Sequence, residues 1–289
     1  MNKLLKSSQI MWKRAANGIG MACHSGRIDG ILASYPKSGR TWFRFILSSY
    51  LAEAFSLKAR PDLFSMFGVM PNFDMDRQRG LPAFAHARHQ PRPPLVPVSH
   101  LPYSRRRFRN HPVIFMVRDP RDVMVSSYFH ATRQKHRFSG DMDEFLNDPR
   151  QGVASLARYL NNWAAGLQGR PHVVVSYEDL SDDPHGQTAR ALSFLGVEPR
   201  PEMLDRAVEA ARFQNMQKLE LAQGLPDHDY DRSDSESRRM RRGKVGGFAD
   251  YLTPDQIRLV ETVCDRELTP QAKALLARSM AERVSVQEA

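Results

Sequence analysis

A short stretch of the chain, Tyr35-Pro36-Lys37-Ser38-Gly39-Arg40-Thr41-Trp42, gathers residue types suited to holding an anion. Ser38 and Gly39 let a backbone approach a ligand closely, and Lys37 and Arg40 add positive charge. A helix opening at Thr41 would supply further unpaired amides. The spacing is not that of a Walker A loop, because G-x-x-x-x-G-K-[ST] is absent and the lysine precedes the glycine. On spacing alone, an ordinary strand-to-helix turn with exposed basic residues fits as well as an anion cradle. Across 289 residues, 42 Lys plus Arg stand against 32 Asp plus Glu, a formal net charge of +10. That excess agrees with an anionic partner, but it suits nucleic acid, a membrane surface or a phosphorylated small molecule equally.

Such a loop needs a strand before it and a helix after it. Ile31 to Tyr35 is an apolar run, and Trp42, Phe45, Ile46, Tyr50 and Ala54 follow at helical offsets. The pattern recurs at Val113 to Val117, followed by Arg118-Asp119-Pro120-Arg121 and a helical segment led by Asp122. It recurs again at Val173 to Val175, followed by Tyr177-Glu178-Asp179 and a helix over about Pro184 to Leu195. Strands alternating with helices predict one α/β domain: a mostly parallel central sheet flanked by helices, with a P-loop-like strand-loop-helix. With 41% hydrophobic and 26% charged residues, the chain is not wholly disordered.

Residues 1–25 are expected to form a mobile N-terminal segment and residues 26–289 the domain. Pro61 to Pro97 reads as a long surface loop with short helices, and Glu202 to Phe213 as a helix. Residues 223–247 read as a flexible surface loop ending in a basic cluster of Arg238, Arg239, Arg241, Arg242 and Lys244. Thr253-Pro254-Asp255-Gln256 carries the start signature of a last helix that buries Ile257, Val260 and Cys264. Two cysteines, Cys23 and Cys264, without a C-x-x-C pair suit reduced thiols in a cytoplasmic protein. No apolar run reaches the roughly 18 residues of a spanning helix.

Four segments in order along the chain resemble motifs of the cytosolic-type sulfotransferases, which transfer a sulfuryl group from 3′-phosphoadenosine 5′-phosphosulfate (PAPS). Tyr35 to Trp42 resembles their 5′-phosphosulfate loop, and Arg118-Asp119-Pro120-Arg121-Asp122-Val123-Met124-Val125-Ser126 their 3′-phosphate motif. Tyr177-Glu178-Asp179-Leu180 is similar to the Y-E-D segment, and Arg241-Arg242-Gly243-Lys244-Val245-Gly246 to the C-terminal R-K-G-x-x-G loop. The resemblance covers about Ile31 to Leu268. It implies that Lys37, with Ser38, Gly39 and Thr41, holds the 5′-phosphosulfate; Arg40, a cation within the same loop, is placed with this cofactor-binding set on its charge and position. It further implies that Arg118 and Ser126 bind the 3′-phosphate together with Arg241, Arg242 and Gly243. Trp42, Tyr177 and Phe213 fall at positions that lie near the adenine in similar enzymes, although each also suits a packing role.

The same resemblance marks Lys37 and His100 as catalytic. His100 sits in Val98-Ser99-His100-Leu101-Pro102, similar to the family's K-T-H-L-P segment, and nothing but that motif singles it out among 10 histidines. It would take the acceptor's proton while Lys37 stabilises the leaving phosphate oxygen and Ser38 restrains Lys37; no metal is called for. Three positions depart from the pattern. Arg40 replaces the usual threonine, Val98 replaces a lysine that often assists the sulfuryl group, and Gly246-Gly247-Phe248 replaces the commoner G-D-W. Arg40 could compensate for Val98 or simply face solvent. The Val98 change keeps open a catalytically impaired nucleotide-binding protein, and the strand-loop-helix pattern a P-loop-type kinase.

The acceptor, whether a small molecule, a lipid or a glycan, would be shaped by variable loops at about 56–97, 132–162 and 219–239. Phe64, Met66, Phe67, Phe73, Phe84, Phe138 and Phe145 suggest room for a hydrophobic alcohol, phenol or lipid-like group, or else a packed lid. No nucleic-acid partner is expected, peripheral membrane contact stays open and the oligomeric state is undetermined. The segment before Arg241 is expected to order when nucleotide binds.

Overall fold

Short runs of β-branched and aromatic residues form the strands β1 (Ile31–Ser34), β2 (Val98–Ser99), β3 (Val113–Val117) and β4 (His172–Ser176). The computed structural model describes residues 20, 21, 23–58, 60–226 and 230–280. The strands make one parallel sheet in the order β2-β1-β3-β4, with Ile31 opposite Val113 and Val113 opposite His172. Both faces are covered, which is why the central strands are buried at every position and, apart from Ser34, apolar rather than alternating. Ile31, Ala33, Val113 and Phe115 pack into one core and Leu32, Ile114 and Met116 into the other.

The first core is closed by α5 (Val153–Leu167), α10 (Pro254–Glu267) and α11 (Pro270–Met280), through Leu156, Trp163, Val260, Cys264 and Leu276. The second is closed by α1 (Arg40–Ala54), α7 (Pro184–Phe194) and α8 (Pro201–Ala210), through Phe43, Ile46, Tyr50, Leu192 and Leu204. The helices α2 (Arg105–Phe108), α3 (Pro120–Phe129), α4 (Met142–Asn147), α6 (Tyr177–Asp182) and α9 (Phe213–Gln223) complete the domain. The chain winds outward from β1 to β2, then crosses back for β3 and β4. The carboxyl ends of β1 and β3 therefore flank the point where the winding reverses, the crevice in which open α/β sheets place ligands.

The expected α/β sheet is the fold, with several differences of detail. α3 begins at Pro120, ahead of Asp122, because the Asp119 side chain accepts from the Arg121 amide and caps it. The helix read over Glu202 to Phe213 is two helices, α8 and α9, meeting near Arg212. The segment Pro61 to Pro97 is not a loop over the surface: Leu63, Met66, Met70, Phe73, Leu81 and Leu95 are buried. It is sewn to the sheet edge by Phe73 N to Val98 O (2.9 Å) and Val98 N to Pro71 O (2.8 Å). Its apolar residues follow no helical or strand period because they plug an edge rather than cover a face. Thr253 and Gln256 form the expected capping box of α10, and Val260 and Cys264 are buried. Most of the segment 1–25 lies outside the described residues, as do residues 227–229 within the 223–247 loop. Among the described residues no helix is long and apolar enough to cross a membrane.

Candidate functional site

The loop after β1 turns sharply, with Lys37 at φ 70° and Gly39 at φ 89°. A Cβ on Gly39 would meet Tyr177 Cδ2 at 2.4 Å, so both the torsion and the close approach demand glycine. Alternating left-handed residues turn successive amides toward one side, the geometry of an anion nest. Among the described residues no side chain caps the start of α1, so its first amides are open to a ligand. Ser38 is buried beneath the loop, while Lys37, Gly39, Arg40, Thr41 and Trp42 line a cleft of about 560 Å³. Trp42 Nε1 donates to Ala211 O (2.9 Å), and its ring meets Tyr177 edge-on at 5.6 Å.

Arg118, at the end of β3, reaches the same cleft. Its guanidinium lies over the Tyr177 ring at 4.3 Å, pairs with Asp122 at 3.3 Å and donates to Lys37 O (3.4 Å). Its Nε is buried with no hydrogen-bond partner among the described residues. Glu178 ties the ends of β3 and β4 together by accepting from the Asp119 amide (3.0 Å), which fixes Tyr177 beneath Arg118. Ser126, one α3 turn beyond Asp122, also lines the cleft. Phe213 and Gly243 meet at its rim: Gly243 has φ 64°, and a Cβ there would strike the Phe213 ring at 2.5 Å. Arg241 pairs with Glu236 (3.0 Å) and sits over the Phe129 and Tyr251 rings. Arg242 pairs with Asp250 (2.7 Å).

Asp122 is buried and both of its oxygens accept loop amides, from Gly246 (3.0 Å) and Phe248 (2.8 Å). The Gly246-Gly247-Phe248 departure is thereby accommodated, with Phe248 stacked under the Arg121 guanidinium at 4.1 Å. A second buried acid, Glu220 of α9, accepts from the amides of Arg239 (2.7 Å) and Met240 (2.8 Å) and from the Tyr230 hydroxyl. It seats the described part of the 223–247 segment against the cleft, where Arg239 donates to Thr41 Oγ1 (3.0 Å).

His100 follows β2 directly. Its Nδ1 lies 2.7 Å from the Ser34 carbonyl at the end of β1, an oxygen that also accepts from the Tyr159 hydroxyl (2.8 Å). An oxygen there requires a proton on Nδ1, which leaves the Nε2 lone pair unprotonated. Burial foremost, then the Arg40 charge, lowers the His100 pKa well below the ordinary imidazole value, against the opposing Ser34 hydrogen bond; Arg239 and Lys37 add to the lowering. Burial and Arg239 likewise hold Lys37 well below the usual lysine range, and they bring Arg40 down to about 9. Val98 is buried and faces Leu32 in the sheet, so no cation comes from that position; Arg40 lines the cleft rather than open solvent.

Of the residues assigned to donor binding or catalysis from the sequence, all but Ser38 line one cleft. Among the aromatic candidates for an acceptor wall, Phe67 lines this cleft with Met66, and Phe145 lines an adjoining cavity. Phe73 is instead core, stacked on Phe108 at 5.0 Å; Phe138 packs on Phe145; Phe64 is exposed and Phe84 lies against His86. Three residues the sequence did not single out complete the site. Asp122 stood inside a motif, but Glu220 and Arg44 carried no signal. Arg44 is buried in α1, donates to Asn72 Oδ1 (3.1 Å) and the Met70 carbonyl, and lies over Phe67 at 4.0 Å, fixing the 61–97 segment beside the cleft.

The sulfotransferase domain family matches residues 27–273, most of the chain. The chain belongs to the sulfotransferase family. Flavonol 3-sulfotransferase of Flaveria bidentis is 26% identical to this sulfotransferase over 257 residues, covering 83% of this chain and 81% of the relative. The 3-alpha-hydroxysteroid sulfotransferase of Cavia porcellus is 26% identical over 253 residues, covering 83% of both. Among solved structures, retinol dehydratase in a complex with retinol and PAP matches with a TM-score of 0.65 at 19% identity, over 84% of this chain and 82% of that one. A mouse sulfotransferase complexed with PAP matches with a TM-score of 0.59 at 20% identity, over 87% and 89%. These two structures show that the sulfotransferase shares their fold. Membership carries the enzyme class that the four motifs imply, a PAPS-dependent sulfotransferase.

Proposed function

We propose that the cleft binds PAPS and that His100 acts as general base in moving its sulfuryl group to a hydroxyl or amine of a small-molecule, lipid or glycan acceptor. The observation that carries this reading is the joining of Lys37, Arg118 and His100 in one cleft, with His100 Nδ1 tied to Ser34 so that Nε2 is the basic nitrogen. The residues present suit a doubly anionic nucleotide: Arg118 keeps a buried, unpartnered Nε beside the left-handed loop. Lys37, Gly39, Arg40 and Thr41 would hold the 5′-phosphosulfate, with Ser38 shaping the loop from beneath. Arg118, Ser126, Arg241, Arg242 and Gly243 would hold the 3′-phosphate, where guanidinium forks match phosphate oxygens. Trp42, Tyr177 and Phe213 would flank the adenine.

In this reading the acceptor oxygen attacks sulfur in line with the bridging oxygen. The new S–O bond forms as the old one breaks, the electron pair passes to the phosphate, and the acceptor proton passes to His100 Nε2. Lys37 stabilises the departing phosphate oxygen, and Arg40 supplies the charge that Val98 cannot. Burial and cations keep the imidazole neutral and able to accept a proton at neutral pH. An anionic donor beside those cations raises the His100 pKa toward a more effective base. A His100→Ala variant is the test: turnover should fall by about 10²- to 10⁴-fold while PAP affinity is kept. Unchanged turnover would remove His100 from the mechanism, and no PAP binding by the parent protein would remove the nucleotide site.

A further inference from the structure

A second lobe of about 510 Å³ adjoins the cleft, sharing Pro36, Lys37, His100, His130 and Lys135 with it. None of the residues assigned to the 3′-phosphate or adenine lines this lobe. Tyr35, Phe145 and Tyr159 give it an aromatic wall. Its remaining wall holds Lys135, Arg137, Arg150 and Arg158 and, among the described residues, no carboxylate. Asp148 is near enough to raise the Tyr35 pKa, but its Oδ1 already accepts the amides of Arg150 and Gln151. Arg158 donates to the Pro149 carbonyl.

An acceptor must present its reacting atom at His100, where the two lobes meet. With the nucleotide in the first lobe, the rest of the acceptor lies in the second. Arg137, Arg150 and Arg158 are exposed, so their charges are not needed to neutralise buried acids. Like charges along one wall repel each other and draw in anions. We propose that the acceptor is an aromatic or apolar alcohol carrying a fixed anionic group, a carboxylate, sulfate or phosphate, which Arg137, Arg150 and Arg158 engage while its hydroxyl meets His100. This inference rests on the sulfotransferase reading of Lys37 and His100. The forked guanidinium geometry suits two oxygens of such a group, and the aromatic wall suits the body between group and hydroxyl.

Matched phenols test it: 4-hydroxyphenylacetate against its methyl ester, and hydroquinone monosulfate and monophosphate against hydroquinone monomethyl ether. With saturating PAPS, kcat/KM should be about tenfold higher for the anionic member, as three partly solvated ion pairs would give. The ranking of the three anions tells which group the wall prefers. In the triple variant Arg137→Gln, Arg150→Gln, Arg158→Gln the ratio should fall toward one, with PAP affinity as the control for folding. Equal or better turnover of the neutral members would overturn the proposal. If no phenol turns over, hydroquinone monosulfate is titrated into PAP-saturated protein; equal binding to the parent and the triple variant would overturn it, and weaker binding to the variant would uphold it. Failure of the sulfotransferase reading shows separately, in PAP affinity and in His100→Ala turnover.

Discussion

Arg118 and Asp122 are joined at 3.3 Å, and the same buried carboxylate holds the amides of Gly246 and Phe248. One acid thus sets both the guanidinium at the end of β3 and the backbone of the C-terminal loop, two pieces of the site far apart in the chain. Removing it leaves two amides and a cation without their partner.

Asp122→Ala should therefore weaken PAP binding by tenfold or more and lower stability by about 3 kcal/mol. Calorimetry with PAP and denaturant titration measure the two effects. An unchanged PAP affinity would show that the loop is held by other contacts.

Gly39→Ala combines a left-handed torsion with a contact of 2.4 Å to Tyr177. The Cβ cannot be placed without moving the loop or the ring, and the torsion alone costs about 1 kcal/mol. Loss of measurable PAP binding in a protein whose melting temperature falls by only a few degrees is the expected result. Binding within twofold of the parent would contradict it.

The proposed place of Lys37 at the phosphosulfate predicts a pH dependence of PAP affinity. Burial and neighbouring arginines depress its pKa in the free protein, and an anionic nucleotide, which favours the charged amine, raises it in the complex. Affinity is therefore full below the depressed pKa and lost as pH rises through it, until the pKa of the complex is reached. Within that window Kd should rise by at most about tenfold per pH unit. Isothermal titration of PAP between neutral and alkaline pH follows this, and Lys37→Met should flatten the profile.

Glu220 predicts how the loop behaves. Because it accepts the Arg239 and Met240 amides and the Tyr230 hydroxyl, Glu220→Ala should loosen the segment before Arg241. Trypsin should then cut faster at Arg232, Arg238 and Arg239, and PAP should slow the cutting in the parent protein. Cleavage at one rate in all samples would refute both expectations.

Tyr159 shares the Ser34 carbonyl with His100. Tyr159→Phe removes one of the two donors, with an expected loss of about 1 kcal/mol in stability. Its kcat should fall a few-fold with PAP affinity unchanged, since the imidazole keeps its own bond but loses a neighbour that fixes the carbonyl.

What was readable in the sequence was local. Lys37, Arg118, Tyr177 and Arg241 each sit in a contiguous motif at the end of a strand or in a loop, so the residues that meet in the cleft could be named one segment at a time. Glu220 and Arg44 could not, because a single acid or base on an amphipathic helix looks like solvated surface until the chain that covers it is known. β2 is two residues long and offers no period to detect. Phe73 and Phe67 come from one irregular stretch and part company, one into the core and one to the cleft, for reasons of sheet-edge packing that spacing does not encode. Val98 reads as a lost cation in the motif and as a necessary apolar partner of Leu32 in the sheet.

The cleft brings Lys37, Arg40, Arg118, Arg239 and Arg241 together with Asp122 as its one lining carboxylate among the described residues. Such a gathering makes the protein's heat tolerance a property of its solution as much as of its chain. Any multivalent counter-ion that settles there relieves the mutual repulsion and shifts unfolding by mass action. A melting curve recorded in phosphate or sulfate should sit above one recorded in chloride, and storage buffers rich in those ions should compete with the nucleotide proposed to bind there.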